Sequence, residues 1–259
     1  MTRSSHVRPV VATLIVLAGA PVGAAEPAPE LYQSHAIVTG TDMRGRPVGF
    51  AACLTDVLVK VSGDPKLADD PRVAELAQHA DRLVAGFQYR DLYSGIPKHD
   101  EQGTRDRPYT LVVAFDPAKI DAVLADLGDQ PWTVERPRLA PAVQVTALRG
   151  SFVLTGDDDA GRDQRDAFTA AAEKYGLLLV LPSAAAVAAG SVQPASAVPL
   201  AGTLVWSDQA GGWVASWRLS WHGQVYAWGV KGVSFDDAYR NAARGALQIL
   251  SGHGTPDGW

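Results

Sequence analysis

The sequence predicts an α/β (α+β) protein made of two small mixed-sheet halves, with helices packed on the sheets. Strand-like segments alternate with amphipathic helical segments along the chain, and each half ends in a helix with one apolar face. The composition agrees with this prediction, because 47% of the residues are hydrophobic and 20% are charged, as in folded globular proteins.

Residues 1–25 have the pattern of a secretory signal peptide. A basic beginning is followed by the apolar run 10–20 and by small residues that suit cleavage after Ala24 or Ala25. The apolar run is too short to cross a bilayer about 30 Å thick, and no later run reaches ~18 apolar residues. We therefore predict export to the periplasm and no transmembrane segment in the mature chain.

The N-terminal domain is predicted over residues 26–135, with the order strand, helix, helix, strand, strand, helix. Asp70-Pro71 and Asp116-Pro117 mark helix starts, because an aspartate cap precedes a first-turn proline that has no N–H to satisfy. Gly63 and Gly128 mark helix ends, where glycine readily takes a left-handed conformation.

A linker is predicted over residues 136–141, in a stretch with two prolines and few periodic apolar residues. The C-terminal domain follows over 142–251, with the order strand, strand, helix, strand, short helix, three strands, helix. The run 177–181 is continuously apolar, which predicts a strand covered on both faces. Residues 252–259 are expected to form a flexible tail.

Charge and cysteine content exclude some classes of function. The chain has 23 Lys+Arg against 28 Asp+Glu, a net charge of −5 with no basic run, so we expect no nucleic-acid partner. One cysteine, Cys53, excludes an intrachain disulfide and zinc or redox sites of the CxxC type. Cys53 lies on the edge of an apolar helical stripe, which favours a buried, inert thiol.

The densest group of ionisable residues lies in a loop before a predicted strand. Its members are His99, Asp100, Glu101, Arg105, Asp106 and Arg107. The two arginines share one side of the extended chain and could hold upstream acids in bidentate pairs, so we favour a structural loop. Binding of a partner or ligand is the first alternative. Acid–base or cation chemistry is the second, although no further ligand set stands at a suitable spacing.

A tryptophan row is the second feature. Trp213, Trp217 and Trp221 share one face of a predicted strand, because side chains alternate between the faces of a sheet. The last helix presents an apolar face that requires a sheet opposite, which favours a core position for the indoles. An exposed platform for sugar rings is the alternative.

No catalytic residue, metal site or cofactor is predicted. The sequence contains no GxSxG, HExxH, SxxK or Walker A motif. The acidic segment 156–161 lacks the glycine and the final glutamate of a calcium loop, so it is interpreted as an acidic helix start.

Four motifs resemble an uncharacterised family of exported proteobacterial proteins that is known only as a domain of unknown function. They are residues 58–65 (LVKVSGDP), 99–108 (HDEQGTRDRP), 115–117 (FDP) and 136–138 (RPR). The resemblance covers nearly the whole mature chain and implies a location in the Gram-negative envelope, but it implies no activity. The element order of the C-terminal half resembles periplasmic accessory domains, such as penicillin-binding-protein activators and the curli secretion component.

These observations favour a non-enzymatic periplasmic accessory or adaptor protein that binds another envelope protein. A carbohydrate or peptidoglycan binder that uses the Trp213/Trp217/Trp221 face is one alternative. A metal-dependent hydrolase at His99–Asp106 is the other. Exposed indoles would favour the first alternative, and a cleft that joins His99 to distant carboxylates would favour the second.

Overall fold

A computed structural model describes residues 29–95, 107–132, 136–190 and 196–258. The chain is an α+β protein with two sheets, which confirms the predicted fold class. None of the helices within these ranges combines the length and the apolar character that a membrane span needs.

The first sheet has three antiparallel strands in the order β1-β3-β2. The elements of this half are β1 (Gln33–Thr39), α1 (Arg46–Ser62), α2 (Pro71–Ala77), β2 (Val84–Asp91), β3 (Pro108–Phe115) and α3 (Pro117–Leu127). The predicted order of elements is confirmed. Asp70 and Asp116 cap their helices as predicted, since each side chain accepts a backbone N–H of the first turn.

The second sheet has the order β5-β4-β7-β8-β9, and β6 pairs with β4. The elements of this half are β4 (Arg138–Ala147), β5 (Gly150–Val153), α4 (Arg162–Lys174), β6 (Leu178–Leu179), α5 (Ala184–Ala188), β7 (Val198–Ser207), β8 (Gly212–Trp221), β9 (Gln224–Val233) and α6 (Phe235–Leu250). Strand β4 runs parallel to β7 and β6, and the other pairs are antiparallel. Helices α4 and α6 cover one face of this sheet.

The predicted linker over 136–141 is wrong for residues 138–141, which form the first part of β4. Leu139 and Ala140 are fully buried. Pro141 is tolerated in this strand because one edge of β4 is unpaired at its position. Along that edge, β6 pairs with β4 before Pro141 and β5 pairs with β4 after it, and neither strand lies opposite the proline.

Two further expectations are corrected. The apolar run 177–181 provides only the two-residue strand β6, and Leu178 is 57% exposed, so this strand is not covered on both faces. The tail is held rather than loose over residues 252–258. Its Pro256 is buried, and Gln248 Nε2 donates to the carbonyls of His253 (3.3 Å) and Thr255 (3.2 Å).

The two halves pack on each other around the C-terminal end of α1. A single cluster of buried apolar residues runs through both halves. Ser251, at the end of α6, donates to the carbonyl of Gly63 at the end of α1 (2.8 Å). Lys174 of α4 pairs with Asp56 of α1 (2.9 Å). Helix α1 therefore contributes to the core of its own half and to the joint with the other.

Candidate functional sites

The predicted charged loop lies largely outside the described residues. This applies to His99, Asp100, Glu101, Arg105 and Asp106, so the proposed ion pairs and the hydrolase alternative stay predictions.

Arg107 is the described residue of that group, and it follows the loop directly. Its Nη1 lies 3.4 Å from Asp91 Oδ2 and 3.3 Å from the carbonyl oxygen of Tyr93. Asp91 ends β2 and Arg107 precedes β3, so this contact joins the two ends of the loop. Asp91 is not among the residues predicted from the sequence, because the strands that bring it to Arg107 are antiparallel neighbours only in the folded sheet.

Trp213 and Trp217 of the tryptophan row lie in the core, as predicted, and Trp221 is partly buried against it. Trp213 and Trp217 are 8% and 2% exposed, and the Trp217 ring lies 6.0 Å from the Tyr239 ring of α6 and 6.3 Å from that of Phe168 in α4. The expectation that this row is an exposed platform is therefore wrong for Trp213 and Trp217, the two buried indoles. Small side chains on α6 admit the bulky indoles, as at Gly245, where an added Cβ would overlap the ring of Trp228.

The opposite face of the C-terminal sheet is open. The outward positions of β4, β7, β8 and β9 form cross-strand rows, and most residues of the two central rows are small. The central rows are Ala142–Ala201–Arg218–Ala227 and Gln144–Thr203–Ser216–Gly229. A shallow depression of about 630 Å³ lies over these rows. We call this surface the open sheet face.

The open sheet face has a distinct charge pattern. Arg218 and Lys231 are exposed and point outward on β8 and β9, whereas no outward position on β4, β5, β7, β8 or β9 is Asp or Glu. The side chain of Arg218 makes no hydrogen bond or ion pair with any residue in the described part of the chain. In a protein of net charge −5, this face is locally basic.

Two cations, the buried Lys60 and the partly buried Arg136, lie at the joint between the halves. Lys60 is 7% exposed and donates through Nζ to the carbonyl of Gln33 (2.6 Å), and burial lowers its pKa. Arg136 donates to the carbonyls of Lys60 and Tyr175 and lies over the Trp132 ring, 4.4 Å from its centroid. Burial lowers the pKa of Arg136 to about 10. Both cations bind backbone carbonyls, which indicates a structural role.

A third cluster lies at the edge of the joint. Ligand atoms of Asp64, Asp129 and His253 all lie within 4.8 Å of one another, and a cavity of about 220 Å³ opens beside them. Each residue follows a left-handed glycine at or just beyond a helix end, namely Gly63 after α1, Gly128 after α3 and Gly252 after α6. These three residues are not among the sites predicted from the sequence, although the sequence does contain a signal for them, a glycine followed by a ligand residue at three helix ends.

Cys53 is fully buried in α1, as predicted. Burial raises the pKa of its thiol to about 12, so the thiol stays protonated at physiological pH. This environment matches a packing role.

Comparison with known proteins gives one match, to a family described as a domain of unknown function (DUF8605), over residues 25–133. The match covers the N-terminal half, and it agrees with the resemblance to a family of unknown function. Neither the curated proteins nor the solved structures gave a match.

Proposed function

We propose that the protein is a non-enzymatic adaptor of the cell envelope that is exported to the periplasm and binds another envelope protein. The observation that carries the proposal is the open sheet face. Helices cover one side of this sheet, and the other side is an accessible surface of small side chains around Arg218. A sheet with two apolar faces would need a layer of its own chain on each face. The open sheet face has small side chains around Arg218 instead, so a partner can cover it temporarily.

The dimensions of the face suit a protein partner. Four strands about 4.8 Å apart, each with ten residues that rise about 3.3 Å, give a surface of roughly 600 Å². This area is close to the roughly 800 Å² that each partner contributes to an interface of standard size. The alanine, serine, threonine and glycine residues of this face project little from the sheet. A helix of the partner can therefore approach the backbone of the strands closely.

The charges of the face define the chemistry of the partner. Arg218 lies in the central row, and a carboxylate of the partner placed against its guanidinium would form a bidentate pair. The absence of outward acids on these strands means that such a carboxylate meets no like charge there. We therefore expect the partner to present a surface of small apolar residues with a central Asp or Glu.

The first experiment tests binding at this face in living cells. A photoreactive amino acid at Ala227, in the same cross-strand row as Arg218, should cross-link to one defined envelope protein. Arg218→Glu should remove that cross-link, because it replaces the attraction with like-charge repulsion. Arg149→Glu makes the same change in charge at an exposed turn outside the depression, and it should leave the cross-link intact.

The outcomes separate the proposal from non-specific capture. Loss of the cross-link in Arg218→Glu alone, with the partner identified by mass spectrometry, supports an adaptor that binds through this face. Equal cross-linking in both variants, or no cross-link from Ala227 while the protein is folded, would contradict the proposal.

The second experiment tests the location. The mature protein from a Gram-negative host should begin at Ala25 or Glu26 and appear in the periplasmic fraction, since the signal pattern ends there. Recovery of the intact chain with Met1 from the cytoplasm would contradict the proposed location.

A further inference from the structure

We infer that Asp64, Asp129 and His253 bind a divalent transition-metal ion, with Zn²⁺ as the first candidate, and that this ion fastens the C-terminal segment to the N-terminal half. The inference is independent of the proposed adaptor function, because the cluster lies at the joint between the halves. Three observations support a bound cation: the contacts of His253, the charges around the cluster, and the spacing of the ligand atoms.

Ser251 holds the ring of His253 at the cluster. The Ser251 hydroxyl donates to the carbonyl of Gly63 (2.8 Å), and Oγ lies 2.9 Å from His253 Nδ1. With Nδ1 directed at Ser251, Nε2 is directed at Asp129 Oδ1, 3.5 Å away.

A metal ion placed between Nε2 and the Asp129 carboxylate would be bound by both groups. In that arrangement Nδ1–H donates to the Ser251 hydroxyl, which is itself bound to a carbonyl, and this is the type of outer contact that fixes the ring of a metal-binding histidine.

Several negative groups converge at the cluster. Asp129 Oδ2 is buried and has no hydrogen-bond partner among the described residues. An unpaired buried carboxylate oxygen is costly, and a cation bound by the Asp129 carboxylate would offset part of that cost. The C-terminal ends of α1, α3 and α6 meet here, and each carries a partial negative charge from its helix dipole.

The nearby basic side chains do not neutralise this charge. Lys66 and Arg72 lie at the rim of the cavity, but Arg72 is paired with Asp70 (2.7 Å). No ion pair joins Lys66 to a carboxylate in the part of the chain that the structure describes.

The spacing and the ligand types select the kind of ion. Two ligands about 2.0–2.1 Å from a tetrahedral Zn²⁺ lie about 3.4 Å apart, close to the separation of His253 Nε2 and Asp129 Oδ1. An imidazole nitrogen favours zinc and similar transition metals over Ca²⁺ and Mg²⁺, which prefer oxygen ligands alone. Three protein ligands leave one position toward the cavity for water or a fourth ligand.

Zinc titration of the untagged mature chain tests the inference. After chelator treatment and dialysis, calorimetry should show one Zn²⁺ bound per chain, and the melting temperature should rise with Zn²⁺ concentration by mass action. Co²⁺ should give the visible absorption of a tetrahedral site. His253→Ala and Asp129→Asn should each lower the Zn²⁺ affinity more than about tenfold and remove the rise in melting temperature.

Two variants complete the design. Ser251→Ala should lower the affinity about 10- to 100-fold without removal of a ligand, because the histidine loses its fixed orientation. His222→Ala removes an exposed histidine from the β8–β9 turn and should bind Zn²⁺ like the wild type. If Asp129→Asn does not fold, His253→Ala carries the test, since His253 lies outside every helix and strand.

The inference would be overturned by a chain that binds no Zn²⁺. Zinc that binds equally well to the wild type and to His253→Ala would also overturn it. If the cross-link from Ala227 fails while these zinc results hold, the adaptor proposal alone is refuted.

Discussion

Trp217 and Gly202 form the contact that decides how β7 and β8 pack under the helices. The two residues are directly paired across the strands. A Cβ added at Gly202 would overlap the six-membered ring of the indole, whose position is fixed by Phe168 and Tyr239. Gly202 is therefore required by the indole, and the effect of a methyl group there should depend on whether the indole is present.

The magnitudes follow from burial. Trp217 is 2% exposed, and a Trp→Ala change in a core costs about 3–5 kcal/mol in the free energy of unfolding. Its Nε1 has no hydrogen-bond partner among the described residues, so loss of that group returns part of the cost. Gly202→Ala alone should cost about 1–3 kcal/mol through overpacking.

The double variant should be more stable than the sum of the single effects implies. With Trp217 replaced by alanine, the methyl group at position 202 enters the cavity instead of overlapping a ring. The coupling energy should be about 1–3 kcal/mol in favour of the double variant. Urea unfolding followed by far-ultraviolet circular dichroism measures it from the midpoints and slopes of the four proteins.

A second pair of substitutions, in residues that do not touch each other, serves as the control for the coupling energy. Gly86→Ala adds a methyl group to a strand of the other half, where an added Cβ meets no atom within 4 Å. Its effect should add to that of Trp217→Ala within about 0.5 kcal/mol. Additive effects of Gly202→Ala and Trp217→Ala would refute the packing described for this face of the sheet.

Three further predictions concern the N-terminal half. Cys53 should resist alkylation at pH 8–9 until the protein unfolds, because burial raises its pKa to about 12; alkylation at the same rate with and without urea would contradict this. Asp91→Asn should lower the free energy of unfolding by about 1 kcal/mol or less, with a smaller effect at high salt in the urea midpoint; an effect independent of salt would exclude an ionic origin. Gly63→Ala should destabilise the protein more than Gly128→Ala, since both have positive φ but only an added Cβ at Gly63 overlaps Ser251; equal thermal shifts would refute the close approach of α1 and α6.

The local order of elements could be predicted from the sequence. Aspartate-proline pairs begin α2 and α3, and Gly63 and Gly128 end α1 and α3, as predicted from capping chemistry alone. The buried direction of the tryptophan row also followed from the sequence, because side chains alternate along a strand and α6 has one apolar face. These features depend on residues a few positions apart.

Some predictions were wrong because a local pattern has a different meaning in the sheet. Two prolines favoured a linker over 136–141, yet Pro141 lies in β4 where neither β6 nor β5 is opposite. The apolar run 177–181 predicts a strand covered on both faces, yet β6 has only two residues and pairs with β4 alone. Both outcomes depend on which strands become neighbours, and this is not written in either segment.

The sequence by itself determined the composition class, the helix and strand order, the caps that begin α2 and α3, and the glycines that end α1 and α3. Only the tertiary structure brought Asp64, Asp129 and His253 together, because they are far apart in the chain and meet only when α1, α3 and α6 end at one point. It likewise decided that one face of the second sheet is covered by α4 and α6 while Arg218 stays exposed on the other. The physical reason is that local propensities act within a turn or two, whereas sites form where packing of distant apolar faces brings polar residues together.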